Sequence, residues 1–277
     1  KLESQTVEPE RITRRFAAKR KLQSGETSWI FDFGQFMSGW AEIRMEGTAG
    51  TRVSMGFSGR VNYETASLDT RNADYDEVQH LGLMLGSGQE DTYIMKGDGV
   101  EVWHPRFTVH GFRYVEVTGY PGEPGMDAVV GCAVNTDIQA TGVFSCSNEL
   151  FNRIHHNAWW TFRGSYQGIP QDAADRAERL AWLGDPGFVA EDYMYNFRDI
   201  LFWTKWLDDI ADTQRADGSV SFVAPPNWGE SSYRTWPCWE CAYTLFVWHC
   251  YNFYDDRRVL ETHYEGVKRQ VEHFRAH

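Results

Sequence analysis

Long apolar runs are missing from this chain of 277 residues. No stretch of about 18 consecutive apolar residues occurs, which excludes a membrane-spanning helix. Positive charge is also scarce, with 27 Lys plus Arg against 39 Asp plus Glu and a formal net charge of −12. Proteins that bind a phosphate backbone need a surplus of basic side chains to displace counterions, so a nucleic-acid partner is excluded. Cysteine is sparse: the five thiols, at Cys132, Cys146, Cys238, Cys241 and Cys250, are too few and too irregular for a disulfide framework. Their odd number leans towards reduced thiols and a cytoplasmic setting. No charged-then-apolar leader follows Lys1, so nothing at that end reports secretion. Gly86-Ser87-Gly88 lacks a following Lys and a strand-to-helix context, so it is no phosphate loop.

What is present is an ordinary globular balance, 42% hydrophobic and 24% charged, which argues against disorder. The unusual component is aromatic: 12 Trp, 13 Tyr and 17 Phe make up 15% of the chain. Only Trp29, Trp40 and Trp103 precede residue 150, so the two halves differ in kind.

The first half reads as strands. Residues 29–33 and 38–46 are followed by 51–57, with Ala41, Ile43 and Met45 alternating with Glu42, Arg44 and Glu46. Period-two alternation on both sides of the Gly47–Gly50 turn is hairpin grammar. Further strands are expected at 91–96, 100–104, 112–119, 128–134 and 141–144, and regular short strands between Gly, Pro and Asp turns predict an antiparallel β-sandwich. The polar stretch 59–90 reads as a long loop projecting from it. Arg14-Arg15 and Lys19 to Lys21 form a basic run that reads as a solvated linker.

The period changes near residue 147. Ser147 and Asn148 are good N-cap types, and Leu150, Ile154, Ala158 and Phe162 recur at helical spacing. Four more helices are expected, over 185–196, 198–214, 237–253 and 256–275. Short turns alternating with long polar loops suggest an α/α toroid. Five helices do not close such a ring of twelve, and an open ring leaves apolar faces wet at about 25 cal/mol per Å². The expected division is therefore 1–26 as linker or the end of a preceding domain, 27–146 as sandwich, and 147–277 as the first helices of an incomplete (α/α)6 barrel. On that reading, residues 1–277 alone are expected to be inactive.

The densest constellation of chemistry is Gln171–Asp185, where Asp172, Asp175, Glu178 and Asp185 share one helix connection with Arg176, Arg179 and Trp182. Two carboxyl groups in different environments are the minimum for splitting a glycosidic bond. A tryptophan supplies an apolar floor for a sugar ring and raises a neighbouring Glu by desolvation, while the two arginines push it down. On composition alone the segment is more simply a solvated, capping-rich turn.

The order Asp172, Arg176, Glu178-Arg179-Leu180, Trp182, Gly184-Asp185 resembles the signature of bacterial α-L-rhamnosidases, glycoside hydrolase family 78. Asp32-Phe33-Gly34-Gln35 with Gly39-Trp40, Pro105-Arg106-Phe107 with His110–Val115, and Phe144–Asn148 also read like that family. The resemblance implies an inverting glycosidase that removes terminal α-L-rhamnose, without cofactor or metal, and a homo-oligomer is compatible with it. It implies Glu178 as general acid, with Asp172, Arg176 and Asp185 binding rhamnose hydroxyls, Trp182 lining the pocket, and the general base outside this chain. The sequence departs from the family at Ala173-Ala174, Asp175, Ala177 and Ala181. It also departs at Trp239-Glu240-Cys241-Ala242, where the family shows Trp-Gly-Asp-Ala; there Trp239 and Glu240 are the expected substrate contacts. The rival readings are a non-catalytic glycan-binding protein and a related toroid glycosidase acting on another sugar.

Other signals read as structural. Cys238-x-x-Cys241 has no second ligand pair for zinc. His110, His155 and His156 are expected as hydrogen-bonded core or rim residues, Trp159, Trp160, Trp203 and Trp206 as core, and Trp228 and Trp236 as pocket candidates.

Overall fold

The computed structural model describes residues 2, 4–69, 89–176, 179–227, 229–233 and 236–277. Among the described residues, ten strands occupy the first half: β1 (Glu10–Ala17), β2 (Arg20–Gly25), β3 (Ser28–Glu46), β4 (Arg52–Ser58), β5 (Val61–Asn62), β6 (Ser67–Leu68), β7 (Glu90–Ile94), β8 (Val100–Trp103), β9 (His110–Thr118) and β10 (Val129–Thr136). All pairings are antiparallel, in the order β1-β10-β3-β9-β4-β7, with β2 and β8 also on β3 and a separate β5–β6 hairpin.

The long strand β3 makes this one sheet a sandwich. Its register breaks between Asp32 and Met37. Before the break Ser28–Asp32 pairs with β2 and β9; beyond it Gly39–Ile43 pairs with β10 and Ile43–Glu46 with β8. The sheet thereby folds into two layers around Phe31, Phe33, Ile43, Val53, Phe57, Phe112, Val115 and Val129, all buried. Ala41, Ile43 and Met45, the alternating set of the sequence, are at most 1% exposed.

Two expectations fail here. Residues 10–25 are not linker: β1 pairs with β10 and β2 with β3. Their charged side chains sit at exposed or half-exposed positions, which removes the apolar alternation that marks an inner strand. Arg15, for example, grips Glu42 through two hydrogen bonds of 2.8 and 3.3 Å. Residues 141–144 are not a strand either. The N–H groups of Thr141 and Gly142 both donate to the single carbonyl of Asn196, and Val143 is 96% exposed. Of the expected 59–90 loop, residues 70–88 lie outside the described residues.

The second half is helical: α1 (Glu149–Ser165), α2 (Gly184–Phe188), α3 (Ala190–Asn196), α4 (Ile200–Thr213), α5 (Pro237–Glu240), α6 (Ala242–Tyr254) and α7 (Arg257–Ala276), with a 3₁₀ turn at Gly229–Ser232. Asn148 caps α1, its Oδ1 accepting the Leu150 N–H at 3.0 Å. The expected helix over 185–196 is two, because Val189 (φ −122°, ψ 20°) leaves helical geometry. The expected 237–253 helix divides at Cys241. Leu150 and Ile154 are exposed, and α1 buries Trp160 and Arg163 instead. That end of α1 leans on β3 and β10, and Trp159 touches both hydrophobic cores.

The helical core is aromatic: Tyr166, Phe197, Phe202, Trp203, Trp206 and Phe246 are at most 1% exposed. At its centre Asp199 is fully buried and accepts the hydroxyls of Tyr166 (2.5 Å) and Tyr254 (2.6 Å) and the indole N–H of Trp203 (2.6 Å). Burial pushes its carboxyl up, and these three donors oppose the rise. Among the described residues no helix is long and apolar enough to cross a membrane.

Candidate active site

The connection between α1 and α2 is pinched at its base. Asp172 N–H donates to the Leu180 carbonyl at 2.9 Å, and Arg176 N–H closes a turn onto Ala173 O at 3.0 Å. Ala173 (φ +32°) and Arg179 (φ +45°) both adopt left-handed geometry that non-glycine residues rarely take. Strain of this kind persists only where surrounding contacts over-determine it. Glu178, the expected general acid, and its neighbour Ala177 lie outside the described residues, as does Trp228.

Beyond the turn the chain pairs with the stretch after α4. Trp182 forms a bridge with Val223, Leu183 N–H donates to Phe222 O at 2.9 Å, and Ala224 N–H donates to Ala181 O at 3.0 Å. This short ribbon lays the Trp182 ring on Phe222, centroids 5.3 Å apart and nearly parallel at 15°. The aromatic wall continues from Phe222 to Trp236 (5.0 Å), from Trp236 to Trp239 (6.2 Å), and from Trp239 to Phe188 (6.2 Å). Three segments distant in sequence thus supply one apolar surface, the kind that accepts the C–H face of a sugar.

The charged groups gather beside it. Asp185 stands in the first turn of α2. The residue is exposed overall, yet protein around its carboxyl desolvates it and raises its pKa. Its own backbone N–H, the Arg176 guanidinium and the nearby Trp239 indole N–H oppose that rise. The Trp239 Nε1 is buried. Asp172 and Asp185 both act on the buried Tyr193, whose hydroxyl is raised chiefly by desolvation and further by these carboxylates. Asp172, Arg176, Asp185, Trp182 and Trp239, all expected from the sequence, are therefore brought to one place. Hydrogen-bond acceptors, a guanidinium fork and apolar faces together suit a neutral polyhydroxylated ligand.

Glu240 is the exception. It is 1% exposed, and its Oε1 accepts the Trp236 N–H at 2.7 Å while Oε2 is buried without a partner. Desolvation raises its carboxyl, the Trp236 N–H opposes that, and Asp217 reinforces it. The expected substrate contact is here an internal cap that ties Trp236 to α5, because the side chain folds back along its own turn. Cys238 and Cys241 are free thiols, and among the described residues no three His, Cys, Asp or Glu side chains are grouped to hold a metal.

No motif marks Phe222, which sits in the stretch between α4 and the 3₁₀ turn. Gly184 was visible only as half of Gly184-Asp185; a Cβ there would come within 2.5 Å of the Trp239 ring, so only glycine leaves room for it. His110 was expected as a core or rim residue, and it is 1% exposed and hydrogen-bonded.

Comparison with known proteins places both halves. Residues 139–277 match the family model of the bacterial α-L-rhamnosidase six-hairpin glycosidase domain, and residues 22–135 match that of the bacterial α-L-rhamnosidase concanavalin-like domain. The chain is 33% identical over 271 residues to an α-L-rhamnosidase of Streptomyces avermitilis, covering 97% of this chain and 25% of that protein. An α-L-rhamnosidase of Formosa agariphila is 32% identical over 256 residues, 89% of this chain and 26% of that one. Among solved structures, the α-L-rhamnosidase from Dictyoglumus thermophilum superposes with a TM-score of 0.89 at 38% identity, over 98% of this chain and 29% of that one. The Streptomyces avermitilis α-L-rhamnosidase complexed with L-rhamnose gives 0.91 at 32% identity, over 99% and 25%. The chain spans about a quarter of the length of the curated relatives it matches.

Proposed function

Because the chain belongs to the bacterial α-L-rhamnosidase family, we propose that the protein carrying it hydrolyses terminal α-L-rhamnosyl groups from rhamnosides. The observation that supports this most is the gathering of Asp172, Arg176 and Asp185 beside the Trp182–Trp239 wall, on the loop that carries Glu178. L-Rhamnose, the ligand of the Streptomyces avermitilis relative, suits such a site: hydroxyls for the carboxylates and the guanidinium, and a C–H face for the aromatic rings.

In this reading Glu178 protonates the glycosidic oxygen as the bond to the aglycone breaks. Asp172 and Asp185 accept from sugar hydroxyls and Arg176 donates to them, which fixes the ring and excludes water from its bound face. Inversion requires a second carboxylate about 6.5–9.5 Å from the acid, with room for the attacking water. No residue of this chain is assigned that role.

The test is a panel of aryl glycosides offered to the full-length protein. Release of the aryl alcohol from the α-L-rhamnoside, and Glu178→Gln lowering turnover of methyl α-L-rhamnoside, whose aglycone needs a proton to leave, by about two to four decades, is the expected result. Cleavage of another sugar in preference, or undiminished turnover of methyl α-L-rhamnoside in the variant, overturns it.

A further inference from the structure

Three contacts from the sandwich reach the helix connection on either side of residues 177–178. Gln89 Nε2 donates to the carbonyl of Arg176 at 3.4 Å. Gly111, at the start of β9, lies so close to the connection that a Cβ would collide with Ala174 C and Asp175 N. On the far side, Arg179 Nη2 approaches His110 Nδ1 to 3.4 Å.

His110 is itself firmly held. Its Nε2 faces Asp91 Oδ2 at 2.8 Å and its Nδ1 faces Gln89 Oε1 at 3.1 Å. Its ring stacks on Phe57 at 4.1 Å and 13°. Asp91 in turn accepts the Thr108 hydroxyl at 3.0 Å. Gln89, Asp91 and His110 are all less than 9% exposed, so the cluster is a built, desolvated unit. Burial lowers the Arg179 guanidinium, and Asp91 is the charge that counters this. Arg179 Nε is buried without a hydrogen-bond partner, and its backbone is left-handed. A strained arginine whose counter-charge belongs to another domain is held there by that domain. Buried groups so fixed transmit position, since packed interiors do not deform continuously.

We propose that Gln89, Asp91 and His110 of the sandwich are positioning residues for hydrolysis. By holding the Arg176 carbonyl and the Arg179 side chain they fix the two residues that flank Ala177-Glu178 in the sequence. This rests on the function proposed above. The sandwich then acts as part of the catalytic apparatus without touching substrate.

The test uses the full-length protein with Asp91→Asn and, independently, Gln89→Leu, each checked for an unchanged thermal midpoint. Two substrates are compared: 4-nitrophenyl α-L-rhamnoside, whose aglycone leaves readily without a proton, and methyl α-L-rhamnoside, whose aglycone needs one. A displaced acid costs the second substrate more than the first. The expected result is a fall in kcat on the methyl rhamnoside at least about tenfold larger than on the aryl one, with KM changed less than about threefold. Arg179→Lys, which keeps the charge that faces Asp91, is expected to lose less than Arg179→Met. Where one variant fails to fold, the other decides. Equal losses on the two substrates, or no loss in either variant, overturn the positioning role. A wild-type protein inactive on both substrates fails the proposed function instead.

Discussion

Gly184 lies against the indole of Trp239, and a Cβ added to it would meet Cδ2, Cε2 and Cγ of that ring at 2.5–2.7 Å. The next residue is Asp185, whose carboxyl the same indole N–H helps to keep ionised. One missing side chain therefore couples the aromatic wall to the charged group.

Gly184→Ala follows from this contact. The indole has to move, and overpacking of this kind costs about 1–3 kcal/mol. The expected effect on rhamnoside hydrolysis is a fall in kcat/KM of about five- to 150-fold, with the larger part in KM. Steady-state kinetics measure it; wild-type values in the variant contradict the packing account.

Asp185→Asn removes a charged acceptor, and hydrogen bonds to charged groups contribute about 1.5–3 kcal/mol, so kcat/KM is expected to fall about ten- to a hundredfold. The pH dependence has a definite sign. Desolvation raises the Asp185 pKa, and the ionised carboxylate is the form that accepts from sugar hydroxyls. Activity is thus lost as pH falls through a value above the ordinary Asp pKa of about 3.9. A kcat/KM profile over about pH 4–8 should show this acid limb in the wild type and lack it in Asp185→Asn. An identical limb in both assigns it to another group.

Glu240 offers a stability test. Its buried carboxyl has a raised pKa, so the folded protein keeps a proton that the unfolded chain releases above about pH 4.3. Stability therefore declines as pH rises from that point through the folded pKa. Glutamine cannot ionise. Thermal unfolding should find Glu240→Gln gaining on the wild type between about pH 4 and pH 7, and parallel curves would contradict the buried-acid assignment.

Asp199 ties α1, α4 and α6 together through Tyr166, Trp203 and Tyr254. Asp199→Ala orphans three donors, each at about 1–3 kcal/mol, so denaturant unfolding should report a loss of at least about 3 kcal/mol. A loss below 1 kcal/mol would mean that these donors find other partners.

Much of the fold was legible because its signals are local. Ala41, Ile43 and Met45 alternate and are buried, and Asn148 caps a helix where the period changes. β1 and β2 were not legible, because their outward charges erase the alternation while backbone hydrogen bonds to β10 and β3 still form. The same locality governs the site. Asp172, Arg176, Trp182 and Asp185 stand within one short run, so their grouping could be read. The role of Phe222 beneath Trp182, and of His110 beside Arg179, arises from contacts across 40 and 69 positions that no spacing encodes. Glu240 misled because its type suits a sugar contact, whereas its turn folds it inward onto Trp236.

Cleavage of α-L-rhamnosides with inversion through Glu178, as proposed for the protein carrying this chain, has a stereochemical signature. Proton NMR of the first turnovers on 4-nitrophenyl α-L-rhamnoside tests it most directly. β-L-Rhamnose is expected to appear first and to mutarotate later to the α-anomer, and Glu178→Gln is expected to slow rhamnose release from methyl α-L-rhamnoside by about two to four decades. The α-anomer appearing first, or no rhamnose released by the wild type, would contradict it.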